Sequence, residues 1–490
     1  MTMTEANMTS EEASSSSRST CHSYSSATLP LSILKRLRLK GIKDLEDLLE
    51  EFLLPYCPKL ESLLPQKMSC LTSLQQLWVQ NCPNLRALPD WILNLTSLSS
   101  LRIKECLELQ SIPEGTPQLT SLEELSVQNC HNLRALPEWI LNLTSLKTLQ
   151  IWGCVELQHM PKGTHQLTSL KELWVGKCLN LRALPSWILN LTSLKTLGIW
   201  ECLELQYMPE GTYQLTSLKV LSVGNCRNLR ALPDWILNLT SLTNLLIKGC
   251  FELQSTPKGT HQLTSLKELS IENCPHLRAL PDWILNLTSL ETLQIWNCLE
   301  LQYMPEGISW LTFLEELYAD RHNLRALQDW ILNLTSLKDL YICECLESPY
   351  LQERMHNLTS LRRMIVESCP NLSSSRHSLK TLLSRGCPDL YSWRMTHSWS
   401  SLEELNVQNC PNLRKLLDRI PFLIPCLKTL KICKCPELQE LQRMDRLTSL
   451  QVLSISECPK LSERCEKETG ILCHHIAHIP SIIIDGQQIQ

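Results

Sequence analysis

The chain has 490 residues, of which 43% are hydrophobic and 20% are charged, a balance typical of a soluble globular protein. Its formal net charge of -4 at pH 7 argues against a broad surface for nucleic acid or an anionic membrane. Chain length alone would suggest about three ordinary domains, but length does not indicate the number of domains in a chain that is built from repeats.

Residues 1–29 form a serine-rich arm. The arm contains Ser14, Ser15, Ser16 and Ser17 in a row and hardly any large apolar side chains whose burial could offset the entropy of ordering. The arm is therefore predicted to be disordered. It lacks the basic and apolar regions of a signal peptide, and no apolar run in the chain is long enough to span a bilayer. We therefore expect a cytoplasmic protein.

From residue 30 onward the chain repeats with a period of 24 residues. The tetrapeptide Leu-Thr-Ser-Leu marks this period, beginning at Leu71, Leu95, Leu119, Leu143, Leu167, Leu191, Leu215, Leu239, Leu263 and Leu287. A fixed period of this length predicts a solenoid in which each repeat packs on its neighbours. Counting the first strand leucine of each unit, from Leu34 and Leu49 to Leu450, gives about 19 repeats and assigns residues 30–460 to one solenoid.

Within each unit, buried and exposed positions alternate before the cysteine. Leu173 and Val175 alternate with Glu172 and Trp174, and this period of two is typical of a β-strand with one buried face. A Leu-Pro pair then turns the chain into the segment 186–189, which is predicted to be helical or 3₁₀. The predicted fold is an α/β solenoid: a leucine-rich-repeat horseshoe with a parallel β-sheet on the concave face and short helical, 3₁₀ or irregular segments on the convex face.

A longer period of 48 residues is superimposed on the repeat, because units that contain Trp-Ile-Leu-Asn alternate with units that do not. This pattern indicates growth of the array by duplication of pairs. Between corresponding units the leucine frame is constant, whereas differences gather at strand positions that face the concave side. A constant frame with a varied inner face is typical of a recognition surface.

The repeat becomes irregular at residues 373–425, where spacings of 18, 23 and 25 residues replace 24, and residues 391–400 are interpreted as an inserted loop. Residues 461–490 are predicted to form a C-terminal cap or tail. Cysteines and histidines crowd there, but their spacing matches none of the usual paired zinc-ligand motifs and favours a capping segment over a metal site. They are Cys465, Cys473, His474, His475 and His478.

Of the 24 cysteines, 17 share one position in the repeat, eight residues after a strand leucine. They are Cys57, Cys82, Cys106, Cys130, Cys154, Cys178, Cys202, Cys226, Cys250, Cys274, Cys298, Cys345, Cys369, Cys387, Cys410, Cys435 and Cys458. A small side chain in this slot points inward where the strand ends, and its weak S–H donor can reach free backbone carbonyls. Parallel-pointing side chains favour buried, reduced thiols over disulfides.

The aromatic residues divide between the two faces of the solenoid. Six tryptophans share a position after the Leu-Pro turn and are predicted to pack the outer wall: Trp91, Trp139, Trp187, Trp235, Trp283 and Trp330. Seven others fall on exposed strand positions and are the candidate partner-binding residues: Trp78, Trp152, Trp174, Trp200, Trp296, Tyr318 and Tyr341.

Binding is predicted to centre on Trp152, Trp174 and Trp200, which lie in three successive repeats. Large aromatic side chains are common anchors of protein interfaces. The alternative interpretation, that these rings only stack on one another along the sheet, stays open.

Sequence signatures of catalysis do not occur in the chain. Phosphate-binding loops, zinc-protease helices, serine-hydrolase elbows and dinucleotide-binding turns are all missing, and the 14 glycines are too scattered to cradle a phosphate. The chain is therefore predicted not to be an enzyme and to use no cofactor and no metal.

The cysteine-type unit with Leu-Pro-Asp-Trp-Ile-Leu-Asn-Leu-Thr-Ser-Leu resembles the repeats of plant nucleotide-binding leucine-rich-repeat disease-resistance proteins, especially the coiled-coil class. The closing segment around Leu461–Cys465 and Ile476–Ile482 is similar as well. The resemblance implies recognition of a protein partner: a pathogen effector, a guarded host protein, or the nucleotide-binding module of a fuller relative. No nucleotide-binding module precedes the repeats, so the ATP switch of that family is not carried over.

Two other functions remain as alternatives. Signalling scaffolds of the Ras-group repeat type share the Leu-Pro turn, but they favour asparagine where this chain has cysteine. The substrate-reading subunit of a ubiquitin ligase would share the cysteines but should carry an F-box, for which the serine-rich arm leaves no room. An extracellular receptor would need a signal peptide and usually a Gly-x-Ile-Pro turn, and both are missing.

Overall fold

The computed structural model describes residues 35–40, 71–301, 311–320, 334–343, 358–368, 378–387, 399–416, 422–465 and 476–490, apart from positions 72, 258, 260, 261, 281, 423 and 442. The serine-rich arm lies outside the described residues, as do residues 41–70.

A five-residue strand recurs once per repeat. These strands are β1 (Arg36–Lys40), β2 (Gln76–Gln80), β3 (Ser100–Lys104), β4 (Glu124–Gln128), β5 (Thr148–Trp152), β6 (Glu172–Gly176), β7 (Thr196–Trp200), β8 (Val220–Gly224), β9 (Asn244–Lys248), β10 (Glu268–Glu272), β11 (Thr292–Trp296), β12 (Glu316–Asp320), β13 (Asp339–Cys343), β14 (Arg363–Glu367), β15 (Thr381–Arg385), β16 (Glu404–Gln408), β18 (Thr429–Cys433) and β20 (Val452–Ser456). The short strands β17 (Lys415–Leu416) and β19 (Glu440–Leu441) form a separate parallel pair.

Each five-residue strand pairs in parallel with the corresponding strand of the next repeat. Between β6 and β7, for example, the register runs from Glu172 opposite Thr196 to Gly176 opposite Trp200. Residues one repeat apart therefore lie side by side in a single sheet, at about 4.8 Å between strands.

In the five-residue strands from β2 onward, the second and fourth positions point into the core. Leu173 and Val175 of β6 are fully buried, and the same positions of the neighbouring strands carry buried leucine, valine or isoleucine. We call the opposite face, formed by the first, third and fifth strand positions, the concave face. Because the described core positions from Leu71 onward form one continuous cluster, each repeat is stabilised mainly by its two neighbours.

Five-residue 3₁₀ helices follow the Leu-Pro turn on the convex side and span Asp90–Asn94, Glu138–Asn142, Ser186–Asn190, Asp234–Asn238 and Asp282–Asn286. Two three-residue 3₁₀ helices, Leu311–Phe313 and Met444–Arg446, lie elsewhere in their repeats. Pro185 precedes the third of the five-residue helices in an extended conformation (φ -75°, ψ 150°), and its carbonyl accepts a bond from the Ile188 N–H at 3.3 Å. Proline fits this place because its ring fixes φ and the first turn needs no N–H donor.

The outer-wall tryptophans link successive repeats. The indole N–H of the buried Trp187 donates to the carbonyl of Pro161, one repeat earlier, at 2.9 Å. Trp139, Trp235 and Trp283 are buried and make the same bond at 2.8 to 3.1 Å. The prediction of wall packing is confirmed for these four, whereas Trp91 is half-buried against the core and Trp330 lies outside the described residues.

The C-terminal residues cover the last repeat strand. The helix α1 (Pro459–Cys465) follows β20, strand β21 (Ser481–Ile484) pairs in parallel with β20, and β22 (Gln487–Gln488) turns back antiparallel to β21. The Asp485 carboxylate accepts bonds from the Glu457 N–H at 2.8 Å and the Ser462 hydroxyl at 2.9 Å. These bonds join the terminal hairpin to the last repeat and to α1.

The predicted leucine-rich-repeat solenoid with a parallel concave sheet is confirmed. The repeat predicted at Leu49 lies outside the described residues. One local interpretation needs correction. Trp399, which the spacing of the repeats assigned to an inserted loop, is buried at the core position that leucine fills in other repeats. Its carbonyl accepts a hydrogen bond from the Leu402 N–H at 3.1 Å, just as the Leu71 carbonyl accepts one from the Leu74 N–H. Within the described residues, none of the helices is both long and apolar enough to cross a membrane.

Candidate functional site

All seven candidate binding aromatics lie on the concave face, where each is half-buried. Trp78, Trp174, Tyr318 and Tyr341 occupy the third position of their strands, and Trp152, Trp200 and Trp296 occupy the fifth. The structure does not bring the seven together into one surface. It divides them into three groups with different surroundings.

The first group consists of Trp152, Trp174 and Trp200 on β5, β6 and β7, and we call it the tryptophan platform. Each of its indoles leans over a glycine of the following strand. The strand register places Trp152 opposite Gly176, Trp174 opposite Gly198, and Trp200 opposite Gly224.

The three glycines are required by this close approach. A Cβ atom at Gly176 would lie 2.2 Å from Cζ3 of Trp152, and one at Gly198 would lie 2.1 Å from Cε3 of Trp174. A Cβ atom at Gly224 would lie 2.3 Å from Cε3 of Trp200. Two nonbonded carbon atoms cannot approach each other so closely. Only glycine therefore lets the rings lie on the backbone of the next strand. The three glycines are buried beneath the indoles, whereas each of the three tryptophans remains partly exposed to solvent.

The platform is open to a partner. Among the described residues, no aromatic pair joins its three rings, so they do not stack on one another. Within the described part of the chain, their N–H groups make a single side-chain hydrogen bond, a long one of 3.4 Å from Trp174 Nε1 to the Glu172 carboxylate. Flat apolar rings with polar N–H edges suit a protein interface, where aromatic anchors combine burial with a hydrogen bond.

The second group, Trp296, Tyr318 and Tyr341, packs ring against ring on β11, β12 and β13. The centroids of Trp296 and Tyr341 lie 4.9 Å apart in an edge-on arrangement, and those of the two tyrosines lie 5.9 Å apart and stacked. The hydroxyl of Tyr318 donates to Glu316 at 3.3 Å, and that of Tyr341 donates to Glu367. Burial and the neighbouring carboxylates raise the pKa of both tyrosines. The rings of this cluster pack on one another and its hydroxyls bond to carboxylates of the same chain, as expected for a structural role.

Trp78 forms the third group. The Arg102 guanidinium lies over its ring, 5.2 Å from the centroid, and also pairs with the Glu124 carboxylate at 2.9 Å. A cation–π contact of this kind covers the indole with a charged side chain. Trp78 lies three strands from the platform, so it would meet a different part of a partner.

Sequence reasoning identified the platform tryptophans but missed their glycines. The signal was present in the sequence: reading the fifth strand position across β5 to β8 gives Trp152, Gly176, Trp200 and Gly224 in strict alternation. This alternation becomes visible only when the same strand position is compared between neighbouring repeats.

The 17 cysteines that share one position of the repeat were predicted to be buried and reduced, and we call them the cysteine column. All fourteen of its described members are buried and form no disulfides, whereas Cys57, Cys345 and Cys369 lie outside the described residues. The Cys178 thiol donates to the Gly176 carbonyl at 3.4 Å, and the Cys202 thiol donates to the Trp200 carbonyl at 3.6 Å. Burial raises the pKa of Cys178 to about 12, so this thiol stays protonated at neutral pH.

A metal site cannot be assembled from the part of the chain that the structure describes, since no three potential ligands cluster there. Cys473, His474 and His475 of the C-terminal group lie outside the described residues.

Comparison with known proteins identifies the repeat type. The family described as "Plant disease resistance protein RPS2-like, leucine-rich repeats" matches residues 86–203, a stretch that contains the whole platform. No curated protein matches the chain at a significant level.

Several solved structures are similar to the chain at low identity. The leucine-rich-repeat protein LIC12759 of Leptospira interrogans is 20% identical, with a TM-score of 0.34 over 83% of this chain and 95% of its own. An internalin (inlF) of Listeria monocytogenes is 16% identical, with a TM-score of 0.36 over 76% and 87%. The leucine-rich-repeat domain of the type III effector XopL is 24% identical, with a TM-score of 0.35 over 49% and 75%. The fold and the matched repeats together describe a leucine-rich-repeat module for protein interaction.

Proposed function

We propose that the chain is an intracellular protein-recognition module of the plant disease-resistance type. It binds its partner on the concave face, and the partner is a pathogen effector, a guarded host protein or a nucleotide-binding partner domain. The match of residues 86–203 to a plant disease-resistance repeat family supports the defence role. The buried free thiols support a reducing compartment such as the cytoplasm.

The observation that carries the proposal is the tryptophan platform. Three indoles in consecutive repeats each lie against a glycine of the next strand and remain partly exposed to water. Glycine in the middle of a strand, as at Gly198, lowers stability by about 0.5–1 kcal/mol relative to alanine. Together with Gly176 and Gly224 at the ends of their strands, it lets the indoles form a flat aromatic surface, and covering that surface with a partner would gain burial free energy.

The proposal includes neither catalysis nor a bound cofactor. Recognition requires only that the repeats hold the platform rigid, and the strand ladder between β5 and β8 does so through its continuous parallel register. A binder that is ordered before it meets its partner loses little conformational entropy on association.

Affinity capture from plant leaf extract, with and without infection, tests the proposal. The full chain and the variants Trp152→Ala, Trp174→Ala and Trp200→Ala serve as baits, and bound proteins are quantified by mass spectrometry. We expect each variant to lose the partner by about 30-fold in affinity, which corresponds to roughly 2 kcal/mol for an interface anchor.

Trp296→Ala is the matched control, because this residue is also a half-buried concave tryptophan but packs within its own ring cluster. It should lower thermal stability and leave partner binding unchanged. If the three platform variants bind as the unmodified chain does and only melt earlier, the platform is structural and the proposed site is wrong.

A further inference from the structure

Three lysines form an exposed column beside the tryptophan platform. Lys171, Lys195 and Lys219 stand immediately before β6, β7 and β8, at the same position of successive repeats. The backbone N–H of Lys195 donates to the Lys171 carbonyl at 2.8 Å, and that of Lys219 donates to the Lys195 carbonyl at 2.8 Å. The three ammonium groups therefore start from backbone positions only about 4.8 Å apart, where like charges repel one another.

Elsewhere along the same column, lysine is paired with glutamate of a neighbouring repeat. Lys147 contacts Glu123 at 2.6 Å, Lys267 contacts Glu291 at 2.7 Å, Lys338 contacts Glu315 at 2.5 Å, and Lys428 contacts Glu403 at 2.8 Å.

In contrast, no ion pair to Lys171, Lys195 or Lys219 exists within the described part of the chain. Two acidic residues near the platform, Glu172 on β6 and Glu201 immediately after β7, have other partners. Glu172 accepts the indole N–H of Trp174 at 3.4 Å, and Glu201 pairs with Lys177 at 3.9 Å. Lys171 and Lys195 thus stand in the repeats of Trp174 and Trp200, and Lys219 stands in the next repeat, whose Gly224 lies beneath Trp200.

The lysine column and the platform can be reached by one partner segment. Lys171 precedes Trp174 by three residues on β6, which is roughly 10 Å along a strand. Lys195 precedes Trp200 by five residues on β7, which is roughly 17 Å. Trp174 lies between the column and the other two indoles, so the surface changes from cationic to aromatic across the width of the sheet.

We infer that the partner presents an acidic protein segment to this surface, with carboxylates on Lys171, Lys195 and Lys219 and neighbouring aromatic or aliphatic side chains on the tryptophan platform. This inference rests on the proposed function and adds the chemistry of the partner. Charge complementarity supports it, because such a segment would neutralise three adjacent cations that otherwise repel one another.

A nucleic acid fits the surface less well than an acidic protein segment does. A nucleic acid strand carries a phosphate at every nucleotide, and its backbone would have to pass Glu172 and Glu201, which lie beside the aromatic rings. A protein segment can place its carboxylates on the lysines alone and meet the rings with uncharged side chains.

Selection from an unbiased display library of random peptides tests the inference, with the purified full chain as bait. We expect selected peptides to be enriched in Asp and Glu next to aromatic or aliphatic residues. The triple variant Lys171→Gln, Lys195→Gln, Lys219→Gln should bind these peptides about ten-fold more weakly, with a reduced salt dependence. All three lysines are exposed, so the variant should remain folded, which its melting temperature checks.

The matched control is the triple variant Lys267→Gln, Lys338→Gln, Lys428→Gln, which removes the same charge from paired members of the same column. It should bind the selected peptides as the unmodified chain does. Selected peptides without acidic enrichment, or an equal loss in both triple variants, would overturn the inference.

The platform variants separate this inference from the proposed function. Selected peptides whose binding depends on Trp174 but which carry no acidic residues would support the proposed site and contradict an acidic partner. Selected peptides whose binding depends on none of Trp152, Trp174 and Trp200 would contradict the proposed site itself. Tighter binding of single-stranded oligonucleotides than of any selected peptide, lost in the first triple variant, would assign the column to nucleic acid instead.

Discussion

Each described cysteine of the column lies where a strand ends, with its thiol directed at backbone carbonyls in place of water. Burial raises the pKa of Cys178 to about 12 and that of Cys274 to about 11, compared with an ordinary value of 9.0. The folded state therefore holds these protons more tightly than the unfolded state does. The resulting stabilisation is fully present below pH 9.0 and is lost as the pH rises through 11 to 12.

This linkage predicts that stability falls on the alkaline side. Above the ordinary thiol pKa, each of these cysteines should contribute a loss of about 1.4 kcal/mol per pH unit until its folded pKa is reached. Thermal melts under reducing conditions between neutral pH and about pH 10 measure the effect. Cys178→Ala should flatten the pH dependence, whereas Cys426→Ala, at an exposed cysteine outside the column, should not. A melting temperature that stays constant up to pH 10 would contradict the assignment.

At the scale of the repeat, the period of 48 residues has a structural reason. Units that contain the wall tryptophan donate an indole N–H, and the units between them supply the proline carbonyl that accepts it. Donor and acceptor thus lie in alternate units, so a pair of repeats is the smallest element that reproduces both partners.

Trp187→Phe tests the contribution of this bond. The substitution keeps most of the ring volume but leaves the carbonyl of Pro161 without its 2.9 Å partner, so the free energy of unfolding should fall by about 1–3 kcal/mol. Denaturant unfolding of the full chain measures the change. Trp91→Phe is the control at the same repeat position, because Trp91 is only half-buried and should lose less. An unchanged free energy of unfolding in Trp187→Phe would show that the indole hydrogen bond adds nothing to stability.

At the scale of the whole molecule, the sheet runs without interruption through the irregular region. Strand β15 pairs in parallel with both β14 and β16 although the spacing between its repeats differs from 24 residues. The four wall tryptophan bonds, in contrast, all lie between residues 113 and 283.

We therefore predict that residues 378–416 exchange their amide hydrogens before the strands between residues 100 and 296 do. Stability in a solenoid comes from contacts between neighbouring repeats, and the irregular region lies outside the span of the wall bonds. Hydrogen exchange with mass spectrometry resolves the two regions. Both regions have complete pairing of their strands. Equal protection of their amide hydrogens would therefore mean that strand pairing alone determines how readily a repeat opens locally.

The sequence by itself determined the repeat, the strand in each unit, the buried positions and the inward column of cysteines. It could do so because a period of two within the strand and a period of 24 along the chain decide which side chains face the core. It failed at Trp399, where an aromatic residue fills a leucine position and the local spacing suggested a loop. Only the tertiary structure decided that Trp174 lies on Gly198, that Trp296 packs on Tyr341, and that Lys195 has no carboxylate beside it while Lys267 does. These contacts join residues about one repeat or more apart, and they depend on the register between neighbouring strands and on side-chain rotamers, neither of which a pattern along one strand contains.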